Sequence, residues 1–120
     1  MRIISGKFKG KLIKFLKNSA TRPLKDAVKE NVFNILNHSN LIDAKIENAN
    51  ILDLYSGVGS FGLECISRGA KEVTFIEQDK NALETLNENL IELSIIDQVK
   101  VLDNKIENIL IQDIENKYNI

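Results

Sequence analysis

The chain has 120 residues, 43% of them hydrophobic and 28% charged, a mixture that fits one soluble globular domain and excludes a disordered or collagen-like chain. A single cysteine, Cys65, and a single histidine, His38, leave no internal disulfide and no cysteine-rich zinc site, so no metal centre is expected; no apolar run approaches a membrane span, and Met1-Arg2-Ile3-Ile4 leads into lysines rather than a signal-peptide core, so a cytoplasmic location is expected. The net charge of −1 hides an asymmetry: residues 1–30 hold nine basic side chains against two acidic, a net +7, and residues 31–120 hold seven against fifteen, a net −8.

Such halves suggest a basic arm that meets a polyanion, beside an acidic body. The plainer reading is a lysine-rich face that keeps an edge strand soluble. Arg2-Ile3-Ile4-Ser5 and Leu12-Ile13-Lys14-Phe15 are short β-type runs around Gly6-Lys7-Phe8-Lys9-Gly10, which predicts a small basic hairpin. Pro23 stands where a helix could begin, and Leu24, Val28, Val32 and Leu36 step every four residues along one face, predicting a helix from about Leu24 to Asn37. His38 lies just beyond it and has no expected chemistry. Ser39 to Asn50 reads as a connector.

From Ile51 strand and helix patterns alternate, the signature of a parallel α/β sheet. Ile51–Tyr55 is the first strand, and glycines at 57, 59 and 62 turn the chain into a helix carrying Phe61, Leu63, Cys65 and Ile66, with Gly69 as a left-handed cap. Cys65 reads as a small core residue. Lys71–Glu77 is the second strand; Asp79 is placed to cap the next helix, whose Leu83, Leu86, Leu90 and Leu93 should pack on the sheet. Gln98–Leu102 is the third strand, Ile106, Ile109, Leu110 and Ile114 mark another crossover helix, and Tyr118-Asn119-Ile120 begins another extended run.

Gly57-Val58-Gly59-Ser60-Phe61-Gly62 is G-x-G-x-x-G between strand and helix, and Glu77 follows Gly57 by 20 residues at the end of the second strand. Asp53 bears on which nucleotide cofactor this suits. A dinucleotide brings a pyrophosphate, which a strand-end carboxylate repels. S-adenosylmethionine brings no phosphate, and its sulfonium and ammonium are cationic, so Asp53 favours it, while Glu77 can accept from ribose hydroxyls in either case. The expected cofactor is S-adenosylmethionine, with Asp53, Tyr55, Ser56, Gly57, Gly59, Glu77 and Gln78 as the candidate binding residues.

Met1-Arg2-Ile3-Ile4-Ser5-Gly6 with its lysine-rich hairpin, Thr21-Arg22-Pro23, Val32-Phe33-Asn34-Ile35-Leu36, Asp53-Leu54-Tyr55-Ser56-Gly57-Val58-Gly59-Ser60-Phe61-Gly62-Leu63-Glu64 and Ser67-Arg68-Gly69-Ala70 together resemble the bacterial 16S ribosomal RNA guanine-N2 methyltransferase family. The resemblance runs through essentially the whole chain. It implies a Rossmann-like, doubly wound parallel sheet with an N-terminal basic hairpin and helix. The implied reaction is methyl transfer from S-adenosylmethionine to the exocyclic amine of a guanine in 16S rRNA, in an assembled or assembling small subunit, by a monomer with no membrane partner. It also implies that Asp53, Gly57, Gly59 and Glu77 bind cofactor and that Thr21 and Arg22 sit near cofactor and RNA, with Arg2, Lys7, Lys9 and Lys11 as further candidate RNA contacts.

Two departures qualify the resemblance. The family's Gly-Asp-Ala after the third strand, whose Asp lies near the adenine, is here Val101-Leu102-Asp103-Asn104-Lys105, so the resemblance implies Asp103 or Asn104 as a further cofactor contact; its catalytic Asp-Pro-Pro-Tyr after the fourth strand is absent, Pro23 being the only proline. No catalytic residue is therefore assigned. The expectation is a chain with a basic arm (1–38), a connector (39–50) and the N-terminal half of a cofactor domain (51–120), doubtful in activity and with a poorly covered edge on the first strand. The alternatives are a dinucleotide-dependent oxidoreductase fragment and a non-catalytic RNA-binding module.

Overall fold

The computed structural model describes residues 2–15, 26–38, 45–103 and 118–120. Three strands, β1 (Asn50–Leu54), β2 (Glu72–Ile76) and β3 (Val99–Leu102), form a parallel sheet in the order β1-β2-β3. Asp53 lies opposite Phe75, and Phe75 opposite Val101. Helix α2 (Ser60–Ser67) joins β1 to β2, and α3 (Lys80–Glu92) runs from β2 towards β3 by way of a 3₁₀ turn at Ile96–Gln98. Parallel pairing requires crossovers of this kind, because each strand must restart from the same end of the sheet. The expected strands match to within a residue or two. The crossover helix expected around Ile106–Ile114, together with Thr21, Arg22, Pro23 and Asn104, lies outside the described residues.

Helix ends follow their sequence signals. Asp79 caps α3, its Oδ2 accepting from the Ala82 amide at 2.9 Å. Beyond α2, Gly69 adopts a φ of 103° and the Ala70 amide reaches back to the Cys65 carbonyl at 3.0 Å, closing the helix as a left-handed cap does. Leu86, Leu90 and Leu93 are buried as their spacing predicts, and Leu83 is half-buried. Cys65 is fully buried, and burial pushes its thiol up, which makes it the inert core residue expected.

The N-terminal hairpin exists, but its pairing is one antiparallel bridge, Arg2 with Leu12. The reason is that its amides are used elsewhere. Ile4 and Ser5 donate to the Glu64 carboxylate at 2.9 and 3.0 Å, and Lys7 and Phe8 donate to the carbonyl and hydroxyl of Ser67 at 2.9 and 3.0 Å. Gly6 crosses directly over α2, with a φ of 89° and room for no side chain, since a Cβ there would meet the Ser67 carbonyl oxygen at 1.9 Å.

Helix α1 (Asp26–His38) forms where the periodicity places it, but the face it buries is not the one the four-residue steps suggest. Val28, Val32 and Ile35 are exposed, whereas Lys29 and Phe33 are buried. Glu64 explains the rotation. Its carboxylate takes the Lys29 ammonium at 3.1 Å and the Arg68 guanidinium at 2.9 Å, while Phe33 stacks on Phe61 and under Arg68. Burial works to raise the pKa of Glu64, but the Ile4 amide, Arg68 and Lys29 together hold it below the usual carboxylate range. Hairpin, α1 and α2 thus meet at one ionised side chain.

Tyr118, Asn119 and Ile120 lie along the side of β1 away from β2. Asn119 donates its amide to the Asn50 carbonyl at 2.8 Å and accepts from the Asn50 amide through Oδ1 at 2.8 Å, and Leu52 donates to the Ile120 carbonyl at 2.6 Å. The Tyr118 hydroxyl meets Thr74 Oγ1 at 3.1 Å. The edge expected to be poorly covered is therefore paired at Asn50 and Leu52, and Leu54 is its exposed end.

Candidate cofactor-binding site

The carboxyl ends of the three strands gather the candidate residues: Asp53 in β1, Tyr55 to Gly59 in the loop that follows, Glu77 and Gln78 after β2, and Asp103 after β3. This end of an open parallel sheet is where ligands bind, because the chain departs from it to alternate elements and leaves a crevice. The Glu77 amide bonds to the Leu102 carbonyl at 3.1 Å, which holds the β2 and β3 exits together.

Asp53 turns back under the loop, and its Oδ2 accepts from the Gly62 amide in the first turn of α2 at 3.1 Å. It is 8% exposed. Burial pushes its carboxyl up to about 6; the Gly62 amide opposes that rise and the charge of Glu77 adds to it. Glu77 faces the loop from the other side. Its Oε1 accepts from the Gly57 amide at 2.9 Å and its Oε2 from the Gln78 and Asp79 amides, both at 2.9 Å. Oε1 keeps an acceptor direction for a further donor.

The three glycines serve different ends. At Gly57, with φ 58°, a Cβ would meet open space, so this is where a ligand can approach the backbone. At Gly59 a Cβ would meet Leu86 at 2.5 Å, and at Gly62 it would meet Phe75 at 2.3 Å. Those two let α2 and α3 pack on the sheet, which leaves Gly57 as the glycine of the loop with open space beside its backbone. Tyr55, exposed and at φ 53°, makes the strand-to-loop corner in a backbone region that side chains disfavour. Beside it the Ser56 hydroxyl is buried with no hydrogen-bond partner among the described residues, which leaves it a polar group that a bound molecule could satisfy. Two carboxylates, an unpartnered hydroxyl and an open backbone suit a ligand that brings a positive charge and adjacent hydroxyl groups.

The candidate RNA contacts Arg2, Lys7, Lys9 and Lys11 are all exposed, and the Lys7 ammonium lies over the half-buried Phe8 ring at 5.1 Å. Asp103 is exposed at the mouth. Two side chains that organise this region are not among the sequence candidates. Glu64 anchors the hairpin, and Asn89 of α3 contacts both Lys14 and the loop residue Val58. Each is a polar residue on an otherwise apolar helix face, Glu64 within Leu63–Ile66 and Asn89 between Leu86 and Leu93, and that misfit is the signal by which sequence could have found them.

All 120 residues match the family model described as "Conserved hypothetical protein 95". A Bacillus subtilis protein named "Putative rRNA methyltransferase YlbH" is 36% identical over 110 residues, which are 92% of this chain and 56% of that protein. The "Ribosomal RNA small subunit methyltransferase D" of Haemophilus influenzae is 40% identical over 90 residues, 75% of this chain and 44% of that one. Among solved structures, "Putative methyltransferase yhhF from Escherichia coli" superposes with a TM-score of 0.71 at 30% identity, covering 88% of this chain and 52% of the other. The chain spans about half the length of the curated relatives it matches. The family model matches the whole chain and these relatives pass 30% identity over most of it, so the chain belongs to the Conserved hypothetical protein 95 family, with the Rossmann-like core of a class I methyltransferase.

Proposed function

We propose that this chain provides the cofactor site and the RNA arm of an S-adenosylmethionine-dependent methyltransferase that modifies the exocyclic N2 amine of a guanine in 16S rRNA. The observation that carries the reading is the charge arrangement around the glycine loop: Asp53 beneath it and Glu77 on its other side flank the loop with two carboxylates, where a cation is welcome and a pyrophosphate is not. Its relatives' names support ribosomal RNA as the methyl acceptor. The guanine amine and the small-subunit setting follow from the family resemblance of the sequence.

When bound, S-adenosylmethionine supplies an electrophilic methyl group on a sulfonium. The chain's own part is to hold and orient it. Asp53 balances positive charge beneath the loop, Glu77 accepts from ribose hydroxyls while keeping Gly57 in place, and Ser56 offers the hydroxyl that lacks a partner. Lys7, Lys9 and Lys11 are exposed on the arm, where phosphates can reach them.

Calorimetry on the 120-residue chain tests the cofactor. S-adenosylmethionine should bind more tightly than NAD, and the reverse order overturns the reading. The acceptor is tested with a chimera that continues this chain with the unmatched part of the Haemophilus influenzae relative. Incubated with radiolabelled cofactor and undermethylated small subunits, it should place label in N2-methylguanosine. Label in another nucleoside sinks the guanine assignment and leaves the cofactor reading intact.

A further inference from the structure

We propose that Asn89 is a positioning residue that joins the basic arm to the glycine loop, so that order in one is transmitted to the other. The side chain is 2% exposed and satisfies its acceptor and both donor hydrogens within the protein. Its Oδ1 accepts from the Lys14 amide at 2.8 Å, and its Nδ2 donates to the Lys14 carbonyl and to the Val58 carbonyl, both at 3.1 Å. The two carbonyls can only accept and the amide can only donate, so the orientation of the carboxamide has one solution. To Lys14, Asn89 acts as a neighbouring strand would. To the loop it is an anchor from behind.

Val58 is the residue on which such an anchor has most effect. It stands between Gly57 and Gly59, both at positive φ, where the backbone has more freedom than anywhere else in the loop. Glu77 holds the Gly57 amide from the front, the Gly59 amide bonds to the Ser56 carbonyl at 3.0 Å, and Asn89 fixes the carbonyl between them. The same carboxamide holds the arm next to Phe15. A side chain that merely filled space here would be a leucine, as at Leu86, Leu90 and Leu93 around it.

The consequence rests on the reading of the loop as a cofactor site: cofactor that stills the loop also stills the arm that meets RNA, and by reciprocity RNA on the arm favours cofactor. The link itself does not depend on that reading and can be measured without either molecule.

The test is amide hydrogen exchange by NMR on the 120-residue chain, because intermediacy in space is not evidence of coupling. Asn89→Leu should speed exchange at Lys14, Gly57 and Gly59 together by about tenfold, the scale of one or two buried hydrogen bonds removed, while Val73 to Ile76 in β2 keep their rates. Lys14→Pro takes the arm's amide away from Asn89 and leaves the Asn89 bond to Val58 in place, and it should still speed Gly57 and Gly59. In the double variant the loop should be no faster than in either single one. If Lys14→Pro leaves Gly57 and Gly59 unchanged, or if the two effects on the loop simply add, the inference is wrong. Should either variant unfold, Asn89→Ser supplies the milder perturbation, judged by whether arm and loop amides accelerate together. Saturating S-adenosylhomocysteine on the unaltered chain should also slow the Lys14 amide, and slowing confined to the loop would contradict the link. A chain that does not bind S-adenosylhomocysteine refutes the cofactor reading, while the exchange cycle still decides the role of Asn89.

Discussion

Asp53 costs the folded chain stability for as long as its charge has no partner. Its carboxyl titrates at about 6 in the fold against an ordinary 3.8. Between those values the folded state keeps a proton that the unfolded chain has released, so stability falls as pH rises through that window, by roughly 3 kcal/mol in all. Asp53→Asn keeps an acceptor for the Gly62 amide and removes the charge. It should raise stability at pH 7 by roughly 1–3 kcal/mol, with the gain shrinking to nothing by about pH 4 and S-adenosylmethionine binding weakened, as read by urea unfolding at several pH values and by calorimetry. A pH-independent gain would mean that burial of the charge is not the cause. Glu77 makes a separate prediction, since both its oxygens are engaged by amides and Oε1 still has capacity. Glu77→Ala should weaken S-adenosylmethionine by roughly 1.5–3 kcal/mol, the scale of hydrogen bonds to a charged group, and unchanged affinity in calorimetry would remove Glu77 from the site.

The elements show how local signals and long-range contacts divide the work. Strands, caps and the glycine loop were legible because the physics behind them is local: alternation, a side chain reaching its own helix, a backbone angle that only glycine tolerates easily. The buried face of α1 was not, because it is chosen by a partner far along the chain. Val28 and Val32 look like core, yet Lys29 goes inside because Glu64 waits there, fully buried and already receiving Ile4, Ser5 and Arg68. The division of roles among the glycines was equally hidden, since Phe75 and Leu86 set it. Glu64→Ala strands the Lys29 ammonium and two amides, and it should cost about 3–5 kcal/mol in urea unfolding, the scale for one partner removed from a buried pair. Adding Lys29→Met should recover part of that loss. A single-variant cost below about 1 kcal/mol would show that the hub is not what holds the arm.

On the scale of the molecule, the basic arm is an arm in charge and part of the body in packing: Ile3, Ile13 and Phe33 belong to the same core as β1 and β2. Its +7 also overstates what solvent meets, since Lys29 is buried and paired. The exposed remainder makes a measurable claim. Log affinity for 16S rRNA should fall with log salt, and alanine at Lys7, Lys9 or Lys11 should flatten the slope by about 0.7–0.9 for each phosphate that is no longer neutralised. A slope indifferent to all three would return these lysines to the role of keeping a surface soluble. The pairing of Asn119 and Ile120 with β1 has a consequence for how the protein is made. Asn50 and its partner Asn119 are 69 positions apart in the chain. At ~5–20 residues per second, the ribosome takes roughly 3–14 seconds between making the strand and making what covers its outer edge. For that interval Asn50 and Leu52 offer an open ladder to any other nascent chain nearby, so slower synthesis between Asn50 and Asn119 should raise the share of the protein that aggregates.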